Sequence, residues 1–115
     1  MKNSNIFKNI IENKTSSKII YQNKNVTAFH DINPKAPVHI LIVSNKLIKS
    51  SNDIDKKNIY ILSDMFYIAI TLAKKFKINE TGYRLTINCN AHGGQEIPHL
   101  HMHLLGGKNL GRMLT

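Results

Sequence analysis

The sequence has little of several residue types: its 115 residues include no tryptophan, one cysteine and only seven aspartates and glutamates. The single cysteine, Cys89, excludes an internal disulfide and suits a reducing compartment, where we expect a small buried thiol rather than a nucleophile. No apolar run approaches the ~18 residues of a membrane span, and residues 1–7 lack the long apolar core of a signal peptide. We therefore expect a cytoplasmic protein with no membrane partner.

The shortage of acidic residues leaves a formal net charge of +9. Basic surfaces attract phosphate chains, so such a charge can indicate a nucleic-acid partner. The sixteen basic residues are, however, scattered along the chain, with no run of three and no interleaved aromatic side chains. We therefore predict a solvated, lysine-rich surface and no nucleic-acid partner. The charge still favours small anionic ligands such as nucleotides.

The size and the apolar periodicity of the chain predict one domain, residues 1–115, of the α+β class. Prolines at positions 34 and 37 predict a loop at 31–37, because proline donates no backbone hydrogen bond. We expect a five-stranded antiparallel sheet with one long helix and a short N-terminal helix. The predicted elements are a helix within residues 4–14, strands at 19–22, 25–30, 38–43, 83–90 and 99–105, and a helix at 53–77 capped by Asn52.

The predicted long helix is apolar around more of its circumference than one buried face requires. Besides its main stripe it carries Ile59, Tyr60, Phe66 and Ile70. Excess apolar surface in a small domain favours a second buried contact, most simply with another copy of the chain. A broad core helix explains the pattern about as well, and we predict a homodimer.

Three histidines, His99, His101 and His103, occupy every second position near the C-terminus. This alternation is typical of a half-buried strand, in which same-face side chains lie about 6.6 Å apart. The pattern predicts that the three imidazoles share one face, while the intervening Leu100, Met102 and Leu104 face the core.

Such a row of imidazoles suits either of two chemistries. Neutral imidazole is a common zinc ligand, and imidazole near its usual pKa of ~6.5 is also a nucleophile or a proton donor at neutral pH. The outer two histidines of the row would lie about 13 Å apart, too far to share a metal whose ligands approach to ~2 Å. A zinc site would need His39 in place of one of them. We therefore predict no metal and no cofactor.

The alternating run at 99–105 resembles the signature of the histidine-triad (HIT) superfamily. Residues 28–39 look like the nucleoside-binding loop of that family, and positions 82–84 and 93–95 look like its phosphate-side segment. The glycine pair, Gly106 and Gly107, is similar to that of the Hint branch, the nucleoside phosphoramidases. His103 is unlike the glutamine that related sugar-1-phosphate nucleotidylyltransferases carry.

The resemblance implies hydrolysis of the P–N bond of purine nucleoside 5′-phosphoramidates through a covalent nucleotidyl-histidine. In that scheme His101 attacks phosphorus, His103 and His39 donate hydrogen bonds to the phosphate or the leaving group, and His99 helps to fix the surroundings of the nucleophile. The alternative is a non-catalytic module that binds purine nucleotides on the same fold and needs no reactive His101.

The resemblance also implies a set of nucleotide-binding residues. Asp31 would accept the ribose hydroxyls; without the resemblance, an Asx-type turn before Asn33 and Pro34 would be the favoured interpretation of an aspartate there. Glu96 is suited to recognise a cationic leaving group. The implied contacts to the purine are Ile6, Phe7, Ile10, Phe29, His30, Ile32 and Leu41, and those to the phosphate or leaving group are Asn88, Gly94, Gln95 and Glu96.

Overall fold

A five-stranded antiparallel sheet organises the computed structural model, which describes residues 5–14 and 18–114. Across the sheet the strands follow the order Ile19–Gln22, Val26–His30, Val38–Ser44, His101–Gly106 and Tyr83–Thr86. This arrangement with two helices confirms the predicted α+β fold. Residues 1–4, 15–17 and 115 of the predicted domain, including position 4 of the predicted first helix, lie outside the described residues. The elements are α1 (Asn5–Ile11), β1 (Ile19–Gln22), β2 (Val26–His30), β3 (Val38–Ser44), α2 (Ile59–Lys75), β4 (Tyr83–Thr86) and β5 (His101–Gly106).

The two faces of the sheet bury different sets of side chains. Because strand side chains alternate, Ile40 and Ile42 of β3 face α2, and Leu41 and Val43 face the other way. The face under α2 carries the main core. The opposite face carries a smaller cluster built with α1, whose buried members are Phe7, Ile10, Phe29, Leu41 and Val43.

Helix α2 covers the main core with one face. Its buried residues, including Ile61, Met65 and Ile68, recur at helical spacing. The opposite side leaves large apolar side chains exposed. Among the described residues, no helix is both long and apolar enough to cross a bilayer. The exposed apolar residues of α2 are Ile59, Tyr60, Phe66, Tyr67 and Ile70.

The predicted start of the long helix at residue 53, capped by Asn52, is wrong. Residues 51–53 form a separate 3₁₀ turn, in which the Ser50 hydroxyl accepts the backbone N–H of Asn52 at 3.2 Å. Ile54 is extended, which interrupts any continuous helix. The Asp55 carboxylate then accepts the backbone N–H groups of Lys57 and Asn58, so α2 begins only at Ile59.

The two C-terminal strands are shorter than predicted at one end each. Strand β4 ends at Thr86 instead of residue 90. Cys89 therefore lies beyond the strand and is half-buried. Hydrogen bonds from the hydroxyls of Ser51 and Ser50 lower the pKa of its thiol. Strand β5 begins at His101 rather than residue 99. The reason lies in the approach to β5, where the N–H of Leu100 donates to the Ile48 carbonyl at 2.6 Å instead of joining the ladder.

The glycine pair that follows the histidines is needed for packing. A Cβ atom on Gly106 would lie 2.7 Å from Cδ1 and 3.2 Å from Cβ of Ile78, closer than carbon atoms normally approach. Gly107 has a φ of +91°, and a Cβ atom there would lie 2.9 Å from Cβ of Pro37. The end of β5 therefore passes too close to its neighbours for any side chain.

We expect Gly106→Ala to lower the free energy of unfolding by about 1–3 kcal/mol, because the added methyl group overpacks against Ile78. Urea denaturation measures the change. Gly93→Ala is the matched control, since its Cβ atom would meet nothing closer than 3.9 Å. Adding Ile78→Val, which removes Cδ1, should recover part of the loss in Gly106→Ala. Equal stability of the two alanine variants would contradict the packing argument.

Candidate active site

Strands β3 and β5 bring imidazoles together on the face of the sheet that α1 covers. In their antiparallel register His39 lies opposite Leu105, and Leu41 lies opposite His103. His39 and His103 are therefore diagonal neighbours, and Nε2 of His39 lies 2.9 Å from Nδ1 of His103. The ring centroids of His101 and His103 are 5.1 Å apart. The predicted alternation thus places these rings side by side.

A backbone carbonyl holds the imidazole of His101 in one orientation. Nδ1 of His101 lies 2.6 Å from the carbonyl oxygen of His99. Because that oxygen only accepts, Nδ1 carries the proton and Nε2 keeps its lone pair. Phe7 packs edge-on against the ring at a centroid distance of 5.0 Å. Burial lowers the pKa of His101, so the ring is neutral and nucleophilic at pH 7.

His99 supports this arrangement from beneath. Its own Nε2 donates to the carbonyl oxygen of Ser44 at 2.6 Å, which ties the approach to β5 to the end of β3. The side chain is 2% exposed, and burial lowers its pKa. Among the described residues, its Nδ1 has no hydrogen-bond partner. His99 thus acts through its backbone carbonyl on His101, and its ring is an anchor.

Asp31 lies at the edge of the histidine cluster. It forms the Asx-type turn before Asn33 that is the alternative explanation for an aspartate at this position. Its Oδ1 accepts the backbone N–H of Asn33 at 2.8 Å, an Asx turn. Its Oδ2 lies 3.5 Å from Nε2 of His39. Burial lowers the pKa of His39 despite the attraction of this carboxylate, so His39 is neutral at pH 7 and the contact is not an ion pair.

The environment of His103 strongly disfavours its charged form. Burial is the main cause, and the neighbouring His101 and His39 add to it, which together lower the pKa of His103 to about 4. Asp31 and Glu96 act in the opposite direction without reversing the shift. At neutral pH the cluster therefore consists of neutral imidazoles, with the side chains of Asp31, Glu96 and Lys35 as its charged neighbours.

Asp31, His39 and His103 are close enough together to be considered as metal ligands, with one ligand atom of each lying within 4.8 Å of the others. Zinc would need a lone pair on each imidazole nitrogen that binds it. The backbone N–H of Lys35, however, donates to Nδ1 of His39 at 3.0 Å, so the proton of neutral His39 is on Nε2, the nitrogen that a metal would require. The arrangement favours a hydrogen-bonded pair.

Most of the predicted purine contacts surround the histidine cluster, but not all of them. Phe7, Ile10, Phe29 and Leu41 belong to the buried cluster on the histidine face. Ile6 is 44% exposed and Ile32 is 80% exposed. His30 is not brought to the imidazoles, because the residue after Phe29 points to the opposite side of the sheet. There its ring packs against Phe76 at 5.6 Å between centroids.

The predicted phosphate-side residues lie in the segment between β4 and β5. Nδ2 of Asn88 donates to the Gly93 carbonyl at 2.6 Å. Gln95 is 6% exposed, and its amide nitrogen donates to the carbonyls of Lys49 and Ile97. These two side chains therefore hold the shape of the segment. Gly94 adopts a φ of +81°, and a Cβ atom there would lie 3.8 Å from Nδ2 of Asn88. Glu96 is exposed.

Comparison with known proteins identifies the family of the chain. A family model described as HIT domain matches residues 12–110. The chain belongs to the HIT domain family. It is 64% identical over 110 residues to an uncharacterized HIT-like protein of Buchnera aphidicola subsp. Acyrthosiphon pisum, with 96% of each chain covered.

Two further relatives of this HIT protein bear on its chemistry. It is 49% identical over 115 residues to the purine nucleoside phosphoramidase of Escherichia coli, a match that covers 100% of this chain and 97% of the relative. A solved HIT family hydrolase from Clostridium thermocellum superposes with a TM-score of 0.91 at 41% identity over 96% of each chain. These similarities confirm the resemblance to the HIT superfamily and show that the chain is an enzyme, a HIT-type hydrolase.

Sequence reasoning missed three contacts in the site of this HIT protein. They are the Lys35 amide on His39, the Ser44 carbonyl on His99 and the edge of Phe7 on His101. The first two use backbone atoms, which every residue type offers, so no residue pattern signals them. For the contact between Phe7 and His101, the sequence predicts Phe7 at the site, but as a purine contact rather than as a neighbour of the His101 ring.

The free energy of unfolding should fall as the pH drops from about 6.5 towards 4. Unfolded histidines bind protons near pH 6.5, whereas in the folded protein the pKa of His103 is about 4 and those of His39, His99 and His101 are also lowered. The unfolded state therefore binds more protons in this window, and stability is complete only above it. Urea denaturation at about pH 7 and about pH 5 measures the loss.

His103→Gln should lose less stability between the two pH values than the wild type, because one lowered pKa is removed. His92→Gln changes an exposed histidine outside the cluster and should lose as much as the wild type. An equal loss in all three proteins would contradict this assignment.

Proposed function

We propose that this HIT protein hydrolyses the P–N bond of purine nucleoside 5′-phosphoramidates such as adenosine phosphoramidate, and that aminoacyl-adenylate-type substrates are cleaved at the corresponding P–O bond. The observation that carries the proposal is the lone pair on Nε2 of His101, fixed by the donation of its Nδ1–H to the His99 carbonyl. Similarity to the purine nucleoside phosphoramidase of Escherichia coli supports the choice of substrate class.

The proposed reaction has two steps, as covalent catalysis requires. In the first, Nε2 of His101 forms a bond to phosphorus, the P–N bond of the substrate breaks, and the nitrogen leaves as the amine with a proton that enters from solvent. In the second, water attacks phosphorus, the bond to His101 breaks, and the proton of the water returns to solvent. His103 is proposed to stabilise the charge on phosphate and leaving group by a hydrogen bond. The one proton of neutral His39 is directed at Nδ1 of His103, so we propose that His39 acts through His103 rather than on the substrate.

The proposed nucleotide site combines the neighbours of the histidine cluster. Asp31 is suited to accept ribose hydroxyls because a carboxylate has acceptor capacity beyond the Asn33 N–H that it holds. The apolar side chains on the histidine face are proposed to contact the purine, with Ile6 and Ile32 at the exposed rim, whereas His30 packs against Phe76 on the opposite side of the sheet and is left out of this proposal. Asn88, Gly94 and Gln95 are proposed to shape the phosphate side, and Glu96 to attract a cationic leaving group.

His101→Ala should lower the rate of adenosine phosphoramidate hydrolysis by at least about 1,000-fold, because it removes the covalent nucleophile. Mass spectrometry of wild-type protein quenched during turnover should locate one nucleotide on His101. The matched control is His92→Ala, an exposed histidine outside the cluster, which should retain activity. A fully active His101→Ala variant would contradict the mechanism, and tight binding of adenosine monophosphate by a wild type without turnover would favour the non-catalytic module.

We also propose that the protein is a homodimer assembled through the exposed side of α2. Tyr60 and Tyr67 are 56% and 68% exposed, and Ile59, Phe66 and Ile70 lie on the same helix with 39–47% of their surface in solvent. A second copy is the simplest partner that would cover this apolar surface.

The single unpaired Cys89 supports a cytoplasmic location, and we propose that residues 1–115 act as one domain.

Sedimentation equilibrium should give the wild type a mass of twice 13.1 kDa. The double variant Phe66→Glu/Ile70→Glu should sediment as a monomer, because burying two carboxylates at an apolar contact is unfavourable. Lys46→Glu places the same charge on an exposed residue outside α2 and should remain dimeric. A monomeric wild type would show that the α2 surface has no such role.

A further inference from the structure

The loop at residues 31–37 reaches the histidine cluster through its backbone as well as through Asp31. The N–H of Lys35 donates a hydrogen bond of 3.0 Å to Nδ1 of His39. A backbone amide can only donate, so Nδ1 of His39 must accept. A neutral imidazole carries one proton, and His39 therefore holds that proton on Nε2.

The same reasoning extends from His39 to His103. Nε2 of His39 lies 2.9 Å from Nδ1 of His103. Since Nε2 of His39 carries the proton, it is the donor, and Nδ1 of His103 is the acceptor. Neutral His103 must then carry its own proton on Nε2. One backbone amide thus determines the tautomers of two successive rings.

We propose that the backbone amide of Lys35 is a positioning group that makes His103 present an N–H, and never a lone pair, to the substrate. The inference rests on the proposed function, in which phosphate oxygens and the leaving nitrogen accept hydrogen bonds at this position. With the opposite tautomer, Nε2 of His103 would bring a lone pair towards those acceptors, which would repel it.

The same chain of hydrogen bonds opposes protonation of His103. A proton on Nδ1 of His103 would meet the N–H of His39, and His39 cannot move its proton to Nδ1 while the Lys35 amide occupies that lone pair. His103 is therefore held as a neutral donor throughout the neutral pH range. Such a donor stabilises charge without first having to acquire a proton.

The charged and titratable neighbours do not determine which ring nitrogen of His103 carries the proton. Asp31 and Glu96 favour a positive charge on His103, and His101 and His39 oppose it. Asp31 lies 3.5 Å from Nε2 of His39, a long contact that favours the same tautomer, and the Lys35 side chain opposes a charge on His39. In the proposed complex, ribose hydroxyls occupy the Asp31 carboxylate, which leaves the Lys35 amide as the fixed group.

The direct test is the ring ¹⁵N spectrum of wild-type protein labelled at histidine, which separates protonated from unprotonated ring nitrogens. At about pH 7 we expect Nδ1 to be unprotonated and Nε2 protonated in both His39 and His103. The opposite tautomer, or a mixture of tautomers, in either ring would overturn the proposal. This measurement needs no variant and no substrate.

The variant test compares Lys35→Pro with Lys35→Ala. Both remove the ammonium group, but only proline removes the N–H. Relative to Lys35→Ala, Lys35→Pro should show mixed tautomers in His39 and His103, an upward shift in the titration of His103, and a kcat/KM lower by about 10-fold. If the folded proline variant matches the alanine variant in spectrum and rate, the amide has no positioning role.

A third comparison separates a role through His39 from a general disturbance of the loop. In His39→Gln, the side-chain amide nitrogen is a donor regardless of what position 35 offers. Adding Lys35→Pro to His39→Gln should therefore change kcat/KM by less than about 2-fold. A further 10-fold loss in that background would show that proline acts by another route, and would overturn the proposal.

Failure of this inference is distinguishable from failure of the proposed function. A wild type with the expected tautomers but no phosphoramidase activity would contradict the proposed function and leave the tautomer assignment standing. An active wild type with the opposite tautomers would contradict only the role of the Lys35 amide.

Discussion

The pairing of β3 with β5 is the constraint on which the rest of the structure depends. These central strands are aligned so that Val43 lies opposite His101 and Leu41 lies opposite His103. The same register places Ile40, Ile42, Met102 and Leu104 together beneath α2. A shift of one residue would exchange the two faces and bury the imidazoles under the helix. The apolar core thus fixes the geometry of the polar site.

The histidines that result from this pairing have unequal environments. His101 is oriented by a carbonyl, His39 by an amide, and His103 by His39. Each of these contacts specifies which nitrogen carries a proton, and burial keeps the rings neutral. A set of identical side chains is in this way divided into a ring with a free lone pair at Nε2 and rings with a proton there, which composition alone does not distinguish.

The parts of the fold that follow from periodicity were predictable from the sequence. Alternation at residues 99–105 correctly predicts that His101 and His103 share a face, and helical spacing correctly predicts α2. The start of α2 was not predictable in the same way, because it depends on hydrogen bonds made by Ser50 and Asp55. The position of His99 outside β5 depends on the backbone of Ile48, which lies far along the chain.

Nδ1 of the buried His99 ring bears on the stability of the fold. Among the described residues that atom, Nδ1, has no hydrogen-bond partner. A buried polar atom in this state costs about 1–3 kcal/mol, a sizeable share of the roughly 5–15 kcal/mol that holds a domain together. The fold bears this penalty at the residue whose carbonyl orients the His101 ring. Every residue type offers that carbonyl, so the contribution of the imidazole itself is the N–H that its Nε2 donates to Ser44, which offsets part of the penalty.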